Sequence, residues 1–143
     1  MSALELVGPL ICVAAGYDIC RGRAVRIWVD NAGSVAIWKK GYSSSCALST
    51  TLVAAIGRIA AALGVSVYIE KITRRTGDEA VLADELSKGK FSNFLRRLPT
   101  DFRLPESPAW IPPAILAWIA DPTDDPNLGE KILNNLRGKT TFL

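Results

Sequence analysis

Histidine is absent from the 143-residue chain, which excludes Ser-His-Asp and Cys-His nucleophilic schemes and zinc sites built on imidazole. Any catalysis must rest on carboxylates, lysines or hydroxyls. Cysteine is scarce. Cys12, Cys20 and Cys46 form no CxxC pair, and an odd number at these spacings argues against both a disulfide framework and a zinc site, so all three are expected as reduced thiols. Long apolar runs are missing too. Each is broken by charge or glycine before the roughly 20 residues needed to span a bilayer, and Glu5 sits inside the first run, where a secretory leader would be apolar. No membrane span and an intracellular address are the expectations. Internal repeats and low-complexity blocks are also lacking.

Charge of one sign is not in excess. A net charge of +3 with a pI near 8.9 is mildly basic, compatible with a polyanionic partner without demonstrating one. Apolar side chains are what the sequence has in plenty: 49% of residues are hydrophobic and the mean hydropathy is +0.20. A chain of this length and composition makes one ordinary domain with a real core, removing roughly two thirds of its extended surface on folding.

Ser2 and Glu5 fit a capping box, and Leu4, Val7, Ile11 and Ala14 recur at helical spacing beside a second stripe of Leu6, Leu10 and Val13. Pro9 lacks the N–H that would bond the Glu5 carbonyl, so this first helix either kinks or starts late. Arg21 to Arg23 make a turn. Residues 24 to 30 alternate as a strand, Val25, Ile27 and Val29 on one face, Arg26, Trp28 and Asp30 on the other. Asn31 or Ser34 can cap the short helix that follows, and Gly41 can end it with Lys39 and Lys40 near the negative end of its dipole. After the serines at 43 to 45, Leu52, Ala55, Ile56, Ile59 and Leu63 mark an amphipathic helix stopped by Gly64. "VSVYIEKI", residues 65 to 72, is a second strand, and Thr76 with Glu79 opens a helix running to about Ser87.

Strands separated by helices predict an α/β fold with an at least partly parallel sheet. Two visible strands are few, since three or more are usually needed for a stable sheet. Seven of the eight prolines fall between Pro99 and Pro126. That shift predicts a core over residues 1–90 and a Pro-rich tail over 91–143. In the tail, "PPAILAWIAD" fits a helix with proline in its first turn, and "DPNLGEKILNNLRG" fits another capped by Asn127. With Trp110, Ile115 and Trp118 it has the apolar surface to pack on the core or on a partner.

Three acids stand where chemistry is usually done: Glu5 on the first helix, Asp30 at a strand end, and Asp84 on the helix after the second strand. Open α/β sheets place ligands at the carboxyl ends of their strands. Converging carboxylates suit Mg²⁺, and two such ions about 4 Å apart stabilise both the attacking and leaving oxygens of a phosphodiester. Each acid also has a purely structural use: Glu5 in the capping box, Asp30 in an Asx turn, Asp84 in an i,i+4 pair with Lys88.

"ALELVGPL", "VDNAGSVAIWKKGYSSSCAL" and "LADELSKG", in that order, resemble the ribonuclease H domain of retroelement reverse transcriptases, especially the tyrosine-recombinase (DIRS-like) group. The likeness covers roughly residues 2 to 90. It implies that Glu5, Asp30 and Asp84 are the catalytic, metal-binding acids, that Mg²⁺ or Mn²⁺ is the cofactor, and that the RNA strand of an RNA:DNA hybrid is cut by two-metal-ion hydrolysis. Relatives carry an N-terminal β-hairpin whose first strand supplies another catalytic Asp. The likeness here begins at the helix, so the implied fold is ribonuclease H-like without those hairpin strands, completed by a Pro-rich helical extension. Asp18 and Glu70 are the nearest stand-ins for the missing acid. The family's His-x-x-Gly segment is replaced by "KITRRTGDEAVLAD".

A non-catalytic remnant that binds nucleic acid or protein is the alternative. Lys39, Lys40, Ser43, Ser44, Arg74 and Arg75 are the expected contacts to nucleic-acid phosphates, or else a solvated basic surface. An incomplete sheet with an open edge also favours a homo-oligomer or a partner chain completing the sheet.

Overall fold

The computed structural model describes residues 3–72, 89, 92, 96 and 110–143. Packing groups Met1–Lys71 with Trp110–Leu143 into one compact unit and assigns Ile72–Ala109 to another. The predicted helix from Thr76 to Ser87 lies outside the described residues, as do Asp84, Arg74 and Arg75.

A 3₁₀ turn over Ala3–Leu6 leads into α1 (Val7–Ala15). The helix starts late, as one reading of Pro9 required: the ring falls in the first turn, where no intrahelical N–H is needed. Short α2 (Tyr17–Cys20) and a turn at Gly22 (φ 70°) deliver the chain to β1 (Ala24–Val29). Helices α3 (Ala32–Lys40) and α4 (Ala47–Leu63) form the crossover to β2 (Ser66–Lys71), which pairs with β1 in parallel, Val25 opposite Val67 and Ile27 opposite Ile69. Two glycines end these helices in the left-handed region, Gly41 (φ 88°) and Gly64 (φ 66°), where any other residue would be strained. The architecture is mixed α/β, with a two-stranded parallel sheet and six α-helices among the described residues. No helix among them is long and apolar enough to cross a membrane.

Alternation along the strands separates two faces. Ile69 is buried and Val25, Ile27 and Val67 pack against the core, whereas Arg26, Trp28, Tyr68 and Glu70 face outward, with Arg26 and Glu70 paired at 3.4 Å. Helix α4 is the centre of the core: Leu52, Val53, Ala55, Ile56, Ile59, Ala60 and Leu63 are all buried. Leu6, Leu10 and Val13, at 0% exposure, join the same apolar cluster.

The Pro-rich region returns to this core with α5 (Pro113–Ala120) and α6 (Leu128–Arg137). Pro113 opens α5, and the backbone N–H of Ala114 donates to Asn135 Oδ1 at 2.8 Å, tying α5 to α6. Trp118 is buried and satisfies its indole N–H on the Thr123 carbonyl at 2.8 Å. Asn127 occupies the cap position of α6 but makes no side-chain cap bond; its own N–H donates instead to Asp125 Oδ1 at 2.9 Å. Asp125 Oδ2 also receives Lys131 Nζ at 2.6 Å, so the turn before α6 is organised by Asp125 rather than by the expected asparagine. Hydrogen bonds from Lys131 and the Asn127 N–H hold the Asp125 carboxyl below its usual pKa. This contribution to stability is present above the ordinary carboxylate range and is lost as pH falls through the lowered value.

Gly129 marks the closest approach of α6 to α4. A Cβ there would meet Arg58 Cβ at 2.9 Å and Ala55 Cα at 3.2 Å. Gly57, in the middle of α4, has nothing within 4 Å of the same added atom. Gly129→Ala is therefore expected to destabilise the protein by about 1–3 kcal/mol through overpacking. Gly57→Ala should stabilise it by up to about 1 kcal/mol through helix propensity. Urea midpoints of the two variants, compared with the native chain at constant slope, check both signs.

Candidate functional site

Glu5 and Asp30 line one open cleft of about 410 Å³ with Gly8, Pro9, Cys12, Trp28 and Asn31. The 3₁₀ turn and the first turn of α1 supply one wall; the end of β1 supplies the other. Both acids are exposed to solvent. Among the described residues no Lys or Arg lines the cleft.

The local sequence explains how this wall is held. The strand ends at Val29, one residue short of the expected Asp30, which stands in the bend where Asn31 turns into α3. Asn31 sits in extended backbone (φ −117°, ψ 118°), and its side-chain oxygen accepts the Ser34 N–H at 3.2 Å, capping the helix. The capping geometry places Ser34 in the first turn, fully buried, with its hydroxyl donating to Glu5 Oε2 at 3.4 Å. A contact across 29 residues of sequence thus fixes the first acid to the helix that begins beside the second. The bond is long, and Glu5 keeps its remaining oxygen lone pairs for another partner.

The other expected site residues separate. Lys40, Ser43 and Ser44 line a second cleft of about 350 Å³ with Tyr42, Ser45 and Cys46; α3 forms part of its wall, whereas the first cleft reaches only the Asn31 cap of that helix. Lys39 lies exposed in the last turn of α3 and lines neither cleft. Neither acid considered as a stand-in lines the acidic cleft: Asp18 accepts the Ile19 N–H at 3.0 Å, and Glu70 pairs with Arg26 across the sheet. Among the described residues no three His, Cys, Asp or Glu side chains come together in a way that could hold a metal ion.

Trp28 and Cys12 line the acidic cleft without having been singled out for it by pattern. Trp28 is 41% exposed, and alternation had already put it on the outward face with Arg26. Cys12 is open to solvent on one side, yet burial by the atoms packed round its sulfur pushes the thiol pKa up. Ser34 was legible only as a possible cap; its bond to Glu5 needed the 3₁₀ turn and α3 to meet in the fold.

Comparison of the chain with protein-family models, with curated proteins and with solved structures finds no match. Asn31→Ala should cost about 0.5–2 kcal/mol by removing the cap of α3, while Asn31→Asp, which keeps the acceptor, should cost little; thermal unfolding of the two variants makes the comparison.

Proposed function

We propose that the chain is a ribonuclease H-like nuclease module that cleaves the RNA strand of RNA:DNA hybrids by two-metal-ion phosphodiester hydrolysis. One observation carries the reading: Glu5 and Asp30, 25 positions apart by their residue numbers, line a single open cleft at the carboxyl end of a parallel strand. Strand ends of this kind are where α/β sheets present their ligands. The order of the acids along the chain, with Asp84 third, agrees with the resemblance to retroelement ribonuclease H domains.

The donor set fits a hard divalent cation. Mg²⁺ is commonly held by one or two carboxylates with retained waters and substrate phosphate oxygens, and two solvent-exposed carboxylates, with no Lys or Arg beside them among the described lining residues, suit it. When bound, Mg²⁺ or Mn²⁺ would supply Lewis-acid stabilisation of the charge that grows on the scissile phosphate. The chain's own groups do the rest. Glu5 and Asp30 are the ligands, Asp84 is the third in this reading, and Ser34 orients Glu5 through its hydroxyl. Lys39, Lys40, Ser43, Ser44, Arg74 and Arg75 are the proposed phosphate contacts, acting through charge and hydroxyl donors that position a strand without reading its bases.

A second reading, a non-catalytic module that grips nucleic acid or a protein partner, draws on the absence of a three-acid cluster among the described residues. Cleavage of a labelled RNA:DNA hybrid with Mg²⁺ or Mn²⁺ separates the two. The native chain is expected to cut only the RNA strand and only with metal, and Glu5→Gln or Asp30→Asn should each lower the rate about 100-fold or more, at least the loss seen when supporting residues of metal sites are removed. Equal cutting by native and variant chains overturns the nuclease reading. Metal-independent hybrid binding with no cutting selects the second.

A further inference from the structure

We infer that the free edge of β1 is a dimer contact: it pairs antiparallel with β1 of a second copy of this chain, about a two-fold axis through Ile27, joining two two-stranded sheets into one of four strands. The inference stands apart from the nuclease reading, because oligomeric state is measured without metal or substrate.

Strand β1 has β2 on one side and no strand on the other among the described residues. The backbone N–H and C=O groups that do not bond β2 face that open side, a ready template for another strand. The acidic cleft runs along this edge. Ile27, Trp28, Val29, Asp30 and Asn31 line it in succession, and a groove that touches outward-facing Trp28 together with core-facing Ile27 and Val29 must lie beside the backbone. Across the groove α1 presents Gly8 and Cys12, and a Cβ built on Gly8 would meet nothing within 4 Å. The way in is open to another chain.

Burial points to the same edge. Ile27 and Ile69 are partners in the register and face the same core, yet Ile69 is 2% exposed while Ile27, like Val25 and Val29, is half-buried. The apolar surface continues past β1. The strand also lacks the devices that protect free edges: between Ala24 and Val29 there is no proline and no lysine, and its one charge, Arg26, is on the outward face.

The sequence of the strand selects both the occupant and the register. When β1 pairs antiparallel with its own copy, core-facing residues stay on the core side only if the two-fold axis passes through a residue and not between two. An axis through Arg26 sets two guanidinium groups opposite each other, which is destabilising. An axis through Trp28 draws Asp30, already in the bend toward α3, into the pairing. An axis through Ile27 pairs residues 25 to 29, all within the strand: Val25 opposite Val29 and Ile27 opposite itself on the core face, Arg26 opposite Trp28 on the outer face. Asp30 of the second copy then lies one diagonal step from Arg26, so the guanidinium meets an aromatic face and a carboxylate together. Trp28 is 41% exposed, and no Lys or Arg stands beside Asp30 among the described residues lining the cleft. The pair that Arg26 makes with Glu70 at 3.4 Å is open to solvent and costs little to loosen. Complementary charge on a self-complementary edge makes the second copy the occupant.

The test uses the full chain. Sedimentation equilibrium should show a reversible dimer, and a monomer at every concentration overturns the proposal. Single cysteines at positions 26, 27 and 28, each in a Cys12→Ser/Cys20→Ser/Cys46→Ser background, then read the register by oxidation. A residue on the axis faces its own copy with Cβ atoms about 4.5–5.5 Å apart, whereas its neighbours face their copies only along a diagonal of about 7–8 Å, too far for ready bridging. Ile27→Cys is expected to give the disulfide-linked dimer, and Arg26→Cys and Trp28→Cys are not; equal linking at all three, or linking at 26 or 28 without 27, overturns the proposal. Arg26→Glu should weaken the dimer about tenfold, since symmetry removes two cation–aromatic contacts at once. Glu70→Gln, which removes the partner of Arg26 within its own chain, should not weaken it. Equal weakening by both also overturns the proposal, and if Arg26→Glu does not fold, the cross-linking pattern decides.

Discussion

The burial of helix α4 is the constraint on which the remaining structure depends. Two parallel strands cannot stand by themselves in water, because each needs a covered face and a long crossover to its neighbour. Here α4 is both the larger part of that crossover and the body that α1, α3 and α6 pack against. Leu52, Ile56 and Ile59 at 0% exposure, with Leu63 at 3%, have no alternative environment once the chain is compact. Each such side chain contributes about 1.5–3 kcal/mol by leaving water. The C-terminal helices complete the enclosure through Leu128, Ile132, Leu133 and Leu136, all 2% exposed or less.

From that packing the acidic cleft follows as a by-product of position. Leu6, Leu10 and Val13 anchor the start of the chain to the core, and this leaves Glu5 and Gly8 on the outer side of the same turns. The crossover must begin where β1 ends, so Asp30 and Asn31 lie at that end by topology. Ser34, buried in the first turn of α3, then joins the two halves. The same helix, from Gly33 to Lys40, forms a wall of the second cleft. One short helix therefore begins beside the acidic cleft and ends at the lysine and serines of the other.

Much of the fold was legible in the sequence because it is written in local chemistry. The alternation from Val25 to Val29, the αL glycines at 41 and 64, and the apolar spacing of Leu52, Ile56 and Ile59 each specify an element without tertiary help. The strand pairing followed from the elements between the strands. What stayed hidden depends on groups far apart in sequence. The Ser34 bond to Glu5 and the link from Ala114 to Asn135 have no local signature. Asn127 shows the limit from the other side: a good cap residue in the right place was outcompeted by Asp125, whose carboxylate takes both the Asn127 N–H and Lys131. Of the candidate acids, the order of Glu5 and Asp30 was readable, and their shared cleft needed the fold.

Gly129 carries a consequence for how the C-terminal region is seated. Where a hydrogen replaces a methyl group, α6 comes down onto the backbone of Ala55 and the stem of Arg58. Leu128 or Glu130 brought to this spot would meet Arg58 Cβ at about the 2.9 Å that an added Cβ meets now, so the contact favours the alignment that puts glycine there. The contact works as a key in a lock: grease alone would let the last helix skid along α4, and this notch indexes it.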